Sequence, residues 1–435
     1  MKNYNNNFIF GAKVIFLLVF FSSVIFAQVQ EWVIFNTSNS GLPSNIVRTI
    51  AIDNQGNKWI GTWSGLAKFD GVNWTVYNTS NSGIPDNDIR SIAIDNQNVK
   101  WIGTYNGGLV KFDDQNWTIY NSANSGLPYN DVEAIAIDNQ GNKWIGTFLG
   151  GLAKFDGVNW TVYNDTNSGL PGNDVVTIHI DEQNKKWIGT FDGGLAKFDD
   201  IKWTKYNKLN SELPSNHINV IRSEGPCLKW IGTGFYSEGG LVKFDCGDWT
   251  VYKTTNSGLP GNWIRALAID INGTKWIGTY FGGLAKFDGS NWVVYRSSDS
   301  QLPNNIINTI VIDEYGNKWI GTNGGLAVYR ENGVILKLEN ENDNQPLNFE
   351  LYQNYPNPFN SSTKIKYYLK NSGHVSIELF DLLGNKISSL VNEVKAKGYH
   401  EINFDGNKYG LSSGVYFYRM KTGEYSAMKK MIYLK

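Results

Sequence analysis

The chain has 435 residues, enough for two domains, one with a large core. Its 39 Lys and Arg against 40 Asp and Glu leave a formal charge of −1, so no global field draws it to nucleic acid or to an acidic membrane surface. Two cysteines exclude a disulfide framework or a thiolate zinc cluster, and four histidines leave little material for metal or proton-transfer chemistry.

The first 27 residues stand apart. Lys2 and Lys13 precede an uncharged run from Val14 to Phe26, which ends at Ala27-Gln28. A basic start, an apolar stretch and a small residue at the cut predict a secretory signal peptide over 1–27. The apolar run is shorter than the roughly 20 residues that span a bilayer core, and no later segment is apolar enough to do so. The mature protein is therefore expected outside the cytoplasm, with no membrane-spanning segment.

From there the chain repeats itself with a period of about 43 residues. Trp-Ile-Gly-Thr begins at Trp59, Trp101, Trp144, Trp187, Trp230, Trp276 and Trp319. A second motif, Trp-x-x-Tyr or Trp-x-x-Phe, begins at Trp32, Trp74, Trp117, Trp160, Trp203, Trp249 and Trp292. One repeat reads as four strands: Ile89 to Asp95, Lys100 to Thr104, Gly108 to Asp113 and Trp117 to Tyr120. Asp-Gly pairs such as Asp70-Gly71 mark the turn between the third and fourth, and a Ser-Gly-Leu-Pro stretch leads onward. No segment shows helical periodicity over ten residues, which excludes a helical solenoid. Four short strands at this period predict an all-β, seven-bladed β-propeller of four-stranded blades over 28–338.

The side chains suit wedge-shaped blades. The first strand alternates Ile with small residues, as in Thr49-Ile50-Ala51-Ile52. The motif Gly of the second strand lets the adjacent blade approach, and aromatic residues of the fourth fill the widening gap. Trp32-Val33-Ile34-Phe35 is a fourth strand with no earlier three, whereas the last repeat has three clear strands through Tyr329 and a weak fourth at Val334 to Leu338. The N-terminal strand is expected to complete the seventh blade and leave no open edge. These repeats, over residues 30–335, resemble the two-component regulator propeller family, in which the propeller is often the periplasmic sensor of a hybrid histidine kinase. No kinase segment follows here, so that resemblance implies the fold and not the signalling output.

Comparing copies separates lattice from candidate site. The residue 14 before each motif Trp is always Asn (Asn45, Asn87, Asn130, Asn173, Asn216, Asn262, Asn305) and reads as a turn hydrogen bonder. Three residues later the position varies: Arg48, Arg90, Glu133, Val176, Asn219, Arg265, Asn308. Early on the innermost strand, these should ring the channel mouth and grip an anionic or polyhydroxylated ligand, or else merely line a hydrated channel. Directly after each Trp-Ile-Gly-Thr comes a second variable set: Trp63, Tyr105, Phe148, Phe191, Gly234, Tyr280, Asn323. Its aromatics either form stacking platforms on the same face or pack beneath the Gly-Gly loops. His217 and Trp263, just after the fixed Asn, join that face. In the fifth blade Cys227 and Cys246 replace turn glycines at one end of adjacent strands, where a disulfide is expected in an oxidising compartment. No nucleophile elbow, zinc-protease helix motif or phosphate loop is present, and the Asp-Asn-Gln-Gly-Asn turns lack the carboxylates of a calcium loop. His179 with Arg222 one blade later is the best catalytic pair available.

Glu339 to Leu347 is polar and non-periodic, a linker. Beyond it, residues 348–435 read as about seven strands, including Val375 to Phe380 and Gly414 to Met420, a small C-terminal β-sandwich. Asn354 to Asn360, the turn Asp381-Leu382-Leu383-Gly384, the run 413–418 and Met428-Lys429-Lys430-Met431 resemble the type A sorting domain of the type IX secretion system. That resemblance implies export through the type IX machinery, often with loss of the tail. The whole reading is a secreted or cell-surface recognition protein whose propeller face binds a glycan or peptide. The alternatives are an extracellular lyase acting on a polysaccharide or small lactone through His217 or His179, and a ligand-free surface scaffold.

Overall fold

A computed structural model describes residues 30–336 and 349–435, apart from 370, 383 and 424. The signal-peptide and linker expectations lie outside the described residues. Seven four-stranded antiparallel sheets form the propeller. Blades one to six each use four consecutive strands, beginning in blade one with Val47–Ile52, Lys58–Thr62, Gly65–Phe69 and Trp74–Tyr77. Blade seven takes Ile307–Ile312, Lys318–Thr322 and Gly325–Tyr329 from the end of the repeats and its outer strand, Trp32–Phe35, from the start. Trp32 faces Tyr329 and Phe35 faces Leu326 across that antiparallel pair. The weak fourth strand at Val334 to Leu338 does not form over its described part. Val334 N–H instead bonds the Gln30 carbonyl, because the N-terminal strand already occupies the edge.

The repeat motif explains the lattice. The turn Asp accepts the motif indole N–H, as in Asp53 with Trp59 at 3.0 Å and Asp313 with Trp319 at 2.7 Å, with Glu224 substituting for Trp230 at 2.8 Å. The Lys preceding each motif Trp lies over the Trp of the blade before, as Lys100 does over Trp59 at 4.9 Å. Lys58 of blade one lies over Trp319 of blade seven at the same distance, so the ring closes with the contact used everywhere else. The motif Gly sits where blades nearly touch: a Cβ on Gly61 would fall 2.7 Å from Ile89 Cγ2 of the next blade.

The tail forms two facing sheets. One holds Phe349–Leu351, Ser362–Leu369 and Gly398–Asp405; the other orders Lys386–Lys395, Gly373–Phe380, Gly414–Thr422 and Tyr425–Tyr433. Alternate residues Val375, Ile377 and Leu379 turn inward onto Ile365, Tyr367, Tyr418 and Met431. This sandwich meets turns of blades six and seven. Tyr399 Oη donates to the Glu314 carbonyl at 2.8 Å, Lys366 Nζ to the Ile271 carbonyl at 2.6 Å, and Arg330 pairs with Glu350 at 3.3 Å. Glu314 and Ile271 lie in turns joining first and second strands and Arg330 follows a third strand, all at one end of the blades, so the blade-crossing loops at the other end face away. Among the described residues no helix is long and apolar enough to cross a membrane.

Candidate functional site

The variable positions gather on the face bearing the blade-crossing loops. In every blade the inner strand loses register at its second residue, and the bulged residues are Arg48, Arg90, Glu133, Val176, Asn219, Arg265 and Asn308. A bulge re-aims a side chain and is frequent beside functional sites. The loop before each bulge is tied down by the invariant Asn. Asn45 Oδ1 accepts the Thr37 N–H at 2.9 Å, and the same bond recurs at Asn87, Asn130, Asn173, Asn216, Asn262 and Asn305.

A further ring lies two residues before the bulge: Ile46, Asp88, Asp131, Asp174, His217, Trp263 and Ile306. Their carbonyls accept the N–H groups of Trp63, Tyr105, Phe148, Phe191, Gly234, Tyr280 and Asn323 respectively, which laces three rings of side chains together. Trp63, Tyr105, Phe148 and Phe191 are exposed by 37–53%, and Tyr280 is half-buried.

The three arginines differ in what holds them. Arg48 Nε lies 2.7 Å from Asp88 Oδ1, and Arg90 bridges Asp88 at 3.2 Å and Glu133 at 3.0 Å. Their guanidinium groups cover Trp63 at 5.4 Å and Tyr105 at 4.5 Å. Both charges are thus committed to carboxylates within the rim. Arg265 lies over Tyr280 at 5.5 Å and has no ion pair among the described residues. Burial lowers its pKa from the ordinary value. Asn219 and Asn308 are occupied, the first on the Gly234 carbonyl and the second on the Val47 carbonyl and Asn323.

One cavity of about 340 Å³ collects these features, lined by Glu133, Asp174, Phe191, His217, Phe235 and Arg265 among others. His217 is buried between Phe191, 4.0 Å away edge-on, and Phe235, stacked at 5.1 Å. Burial and then Arg265 bring its pKa down to about 4, so the ring is neutral at pH 7. Trp263 stacks on Tyr280 at 4.0 Å and meets Phe235 at 4.9 Å, leaving its buried Nε1 without an acceptor. Burial, then Glu133, pushes Asp131 up to about 7, and burial with Glu133 and Asp192 pushes Asp174 up to about 6. Asp131 Oδ1 is buried without a hydrogen bond.

Asp88, Asp131, Asp174 and Phe235 were not expected as site residues. The aspartates share the register of His217 and Trp263, so the repeat itself carried the signal. Phe235 arises from the longer second loop of blade five. The pair His179 and Arg222 lies outside this cavity: His179 Nε2 is 2.7 Å from Ser223 Oγ, and burial with nearby Arg222 holds its pKa down at about 3. Cys227 and Cys246 form a disulfide with Cα atoms 4.9 Å apart. No group of three His, Cys, Asp or Glu side chains among the described residues is placed to hold a metal ion.

Among curated proteins no sequence matches this chain. Solved structures share the fold. The extracellular domain of the putative hybrid two component system BT3049 from B. thetaiotaomicron matches with TM-score 0.60 at 21% identity, over 93% of this chain and 57% of that one. PorZ, described as an essential bacterial surface component of the type-IX secretion system of Porphyromonas gingivalis, matches with TM-score 0.58 at 17% identity, over 93% and 61%. The chain therefore spans about three fifths of the length of these two. Virginiamycin B lyase from Staphylococcus aureus matches with TM-score 0.55 at 14% identity, over 68% of this chain and 98% of that one. Two family models match the sequence: residues 41–64 match the two component regulator propeller, and residues 353–434 match the secretion system C-terminal sorting domain.

Proposed function

We propose that this chain is a recognition protein of the cell exterior, exported through the type IX machinery that reads its tail, and that its blade-crossing face binds an extracellular glycan or peptide. The observation that carries this reading is the cavity bounded by Arg265, the half-buried carboxylates of Glu133 and Asp174 and exposed aromatic rings, on the face the sorting domain does not touch. Aromatic faces stack on sugar rings or peptide aromatics, and an uncommitted guanidinium offers a charge-assisted contact to an anionic group. A lyase reading has one point in its favour, since His217 and Arg265 border the same cavity. A histidine held near pKa 4 is neutral but a weak base at pH 7, which favours binding over proton abstraction.

A glycan array and a peptide pulldown on the intact protein, with every hit analysed for degradation products, tests this. Intact bound ligand that loses roughly tenfold in affinity on Arg265→Met is the expected result. Shortened or unsaturated products that vanish on His217→Ala would replace it with the lyase, and no binder at all would leave a scaffold.

A further inference from the structure

Charge is unevenly satisfied across the cavity. Arg48 and Arg90 are balanced by Asp88 and Glu133 in one chain of ion pairs. That leaves two poles unmatched. Asp174 lines the cavity, has no ion pair among the described residues and faces Glu133 and Asp192. Arg265, which lines the same cavity, lies over the ring of Tyr280 and has no ion pair among the described residues. A buried guanidinium without an ion pair is costly, and Asp174 does not pair with it.

We infer that the cavity takes a zwitterion, a short peptide whose ammonium end sits beside Glu133 and Asp174 and whose carboxylate end meets Arg265. This rests on the recognition reading above and names the ligand class. An occupant with one cationic and one anionic end satisfies both poles at once. A neutral sugar satisfies neither, and an anionic glycan would bring further negative charge towards the carboxylates. The carboxylates do not converge as a metal ion requires, so the cation is an ammonium on a carbon body. Phe191 and Phe235 supply an apolar wall, and about 340 Å³ lies at the small end of ligand pockets.

The acid pole also sets a pH dependence. Asp174, facing Glu133 and Asp192, is raised to about 6, and Asp131, facing Glu133, Arg90, Asp88 and Asp174, to about 7, so both are largely protonated at pH 5. An ammonium needs them ionised, so binding weakens as pH falls from 8 to 5 and releases protons near pH 6–7.

Titration calorimetry of the intact protein with Gly-Xaa-Gly tripeptides bearing all twenty central residues provides the test. At least one free tripeptide should bind. Acetylating its N-terminus or amidating its C-terminus should each weaken binding roughly tenfold. Arg265→Met should remove the effect of amidation alone, and Asp174→Asn the effect of acetylation alone. Proton release, read in buffers of different ionisation enthalpy, needs no variant and guards against misfolding. Blocked and free tripeptides binding equally would overturn the proposal. So would failure of the whole panel while a glycan binds and is lost on Arg265→Met, an outcome that keeps the recognition reading. Failure of peptides and glycans together would remove both.

Discussion

Asp131 occupies a register that holds Ile in two blades, yet it is as buried as its neighbours and its Oδ1 has no donor. Burial and the adjacent Glu133 raise its pKa from 3.8 to about 7, so the folded protein holds a proton there that the unfolded chain releases. A raised carboxyl pKa means stability is present at low pH and lost as pH rises through the folded value. Stability should therefore decline between about pH 4 and 7, and Asp131→Asn should flatten that slope and gain about 2 kcal/mol at pH 8. Urea unfolding of both proteins from pH 4 to 8 checks this; parallel curves would show that the carboxyl titrates normally. The sequence displayed Asp88, Asp131 and Asp174 in one register, but that Asp88 is ion-paired and Asp131 and Asp174 are not depends on side chains from other blades and was not legible. For the same reason Arg48, Arg90 and Arg265 looked alike. Only the position of Asp88 between the first two shows that they are committed and the third is not.

At the scale of the element, the repeat made the strands readable because every copy solves the same packing problem. Lys over the neighbouring Trp, Asp on the indole N–H and Gly against the next blade are local rules repeated around a ring, so one blade predicts the rest. The bulge on each inner strand was not legible, since a one-residue slip leaves the alternation of Ile and small residues intact on both sides of it. The close approach at the motif Gly is open to direct test. A Cβ on Gly103 would lie 2.5 Å from the Val132 carbonyl oxygen and 2.3 Å from Ser91 Oγ, and backbone cannot step aside. Gly103→Ala should cost about 2 kcal/mol through overpacking between blades two and three. Gly261→Ala, whose Cβ would meet nothing nearer than 3.5 Å, should be nearly neutral. The midpoint of chemical denaturation separates them, and equal midpoints would mean that blades part easily.

For the whole molecule, the placement of the sorting domain decides which propeller face stays available. Its direct polar contacts fall on turns of blades six and seven, through Tyr399, Lys366, Glu350 and Tyr355, and none involves the residues of the candidate site. Between the two lies a cavity of about 420 Å³ lined by Tyr315, Ile335, Phe349 and Tyr368, so packing there is loose rather than core-like. Hydrogen bonds of this kind contribute about 1 kcal/mol each, too little to fix two bodies once a pair is removed. Tyr399→Phe combined with Lys366→Met should therefore let the tail move off the propeller, seen as a larger radius of gyration in small-angle scattering. Affinity for any ligand of the blade-crossing face should be unchanged, because that face lies at the other end of the blades. An unchanged radius would show that the apolar contacts around Phe349 suffice to hold the tail. A changed affinity would show that the two faces communicate through the blades, and the cavity at Arg265 would then have to be understood together with the export domain.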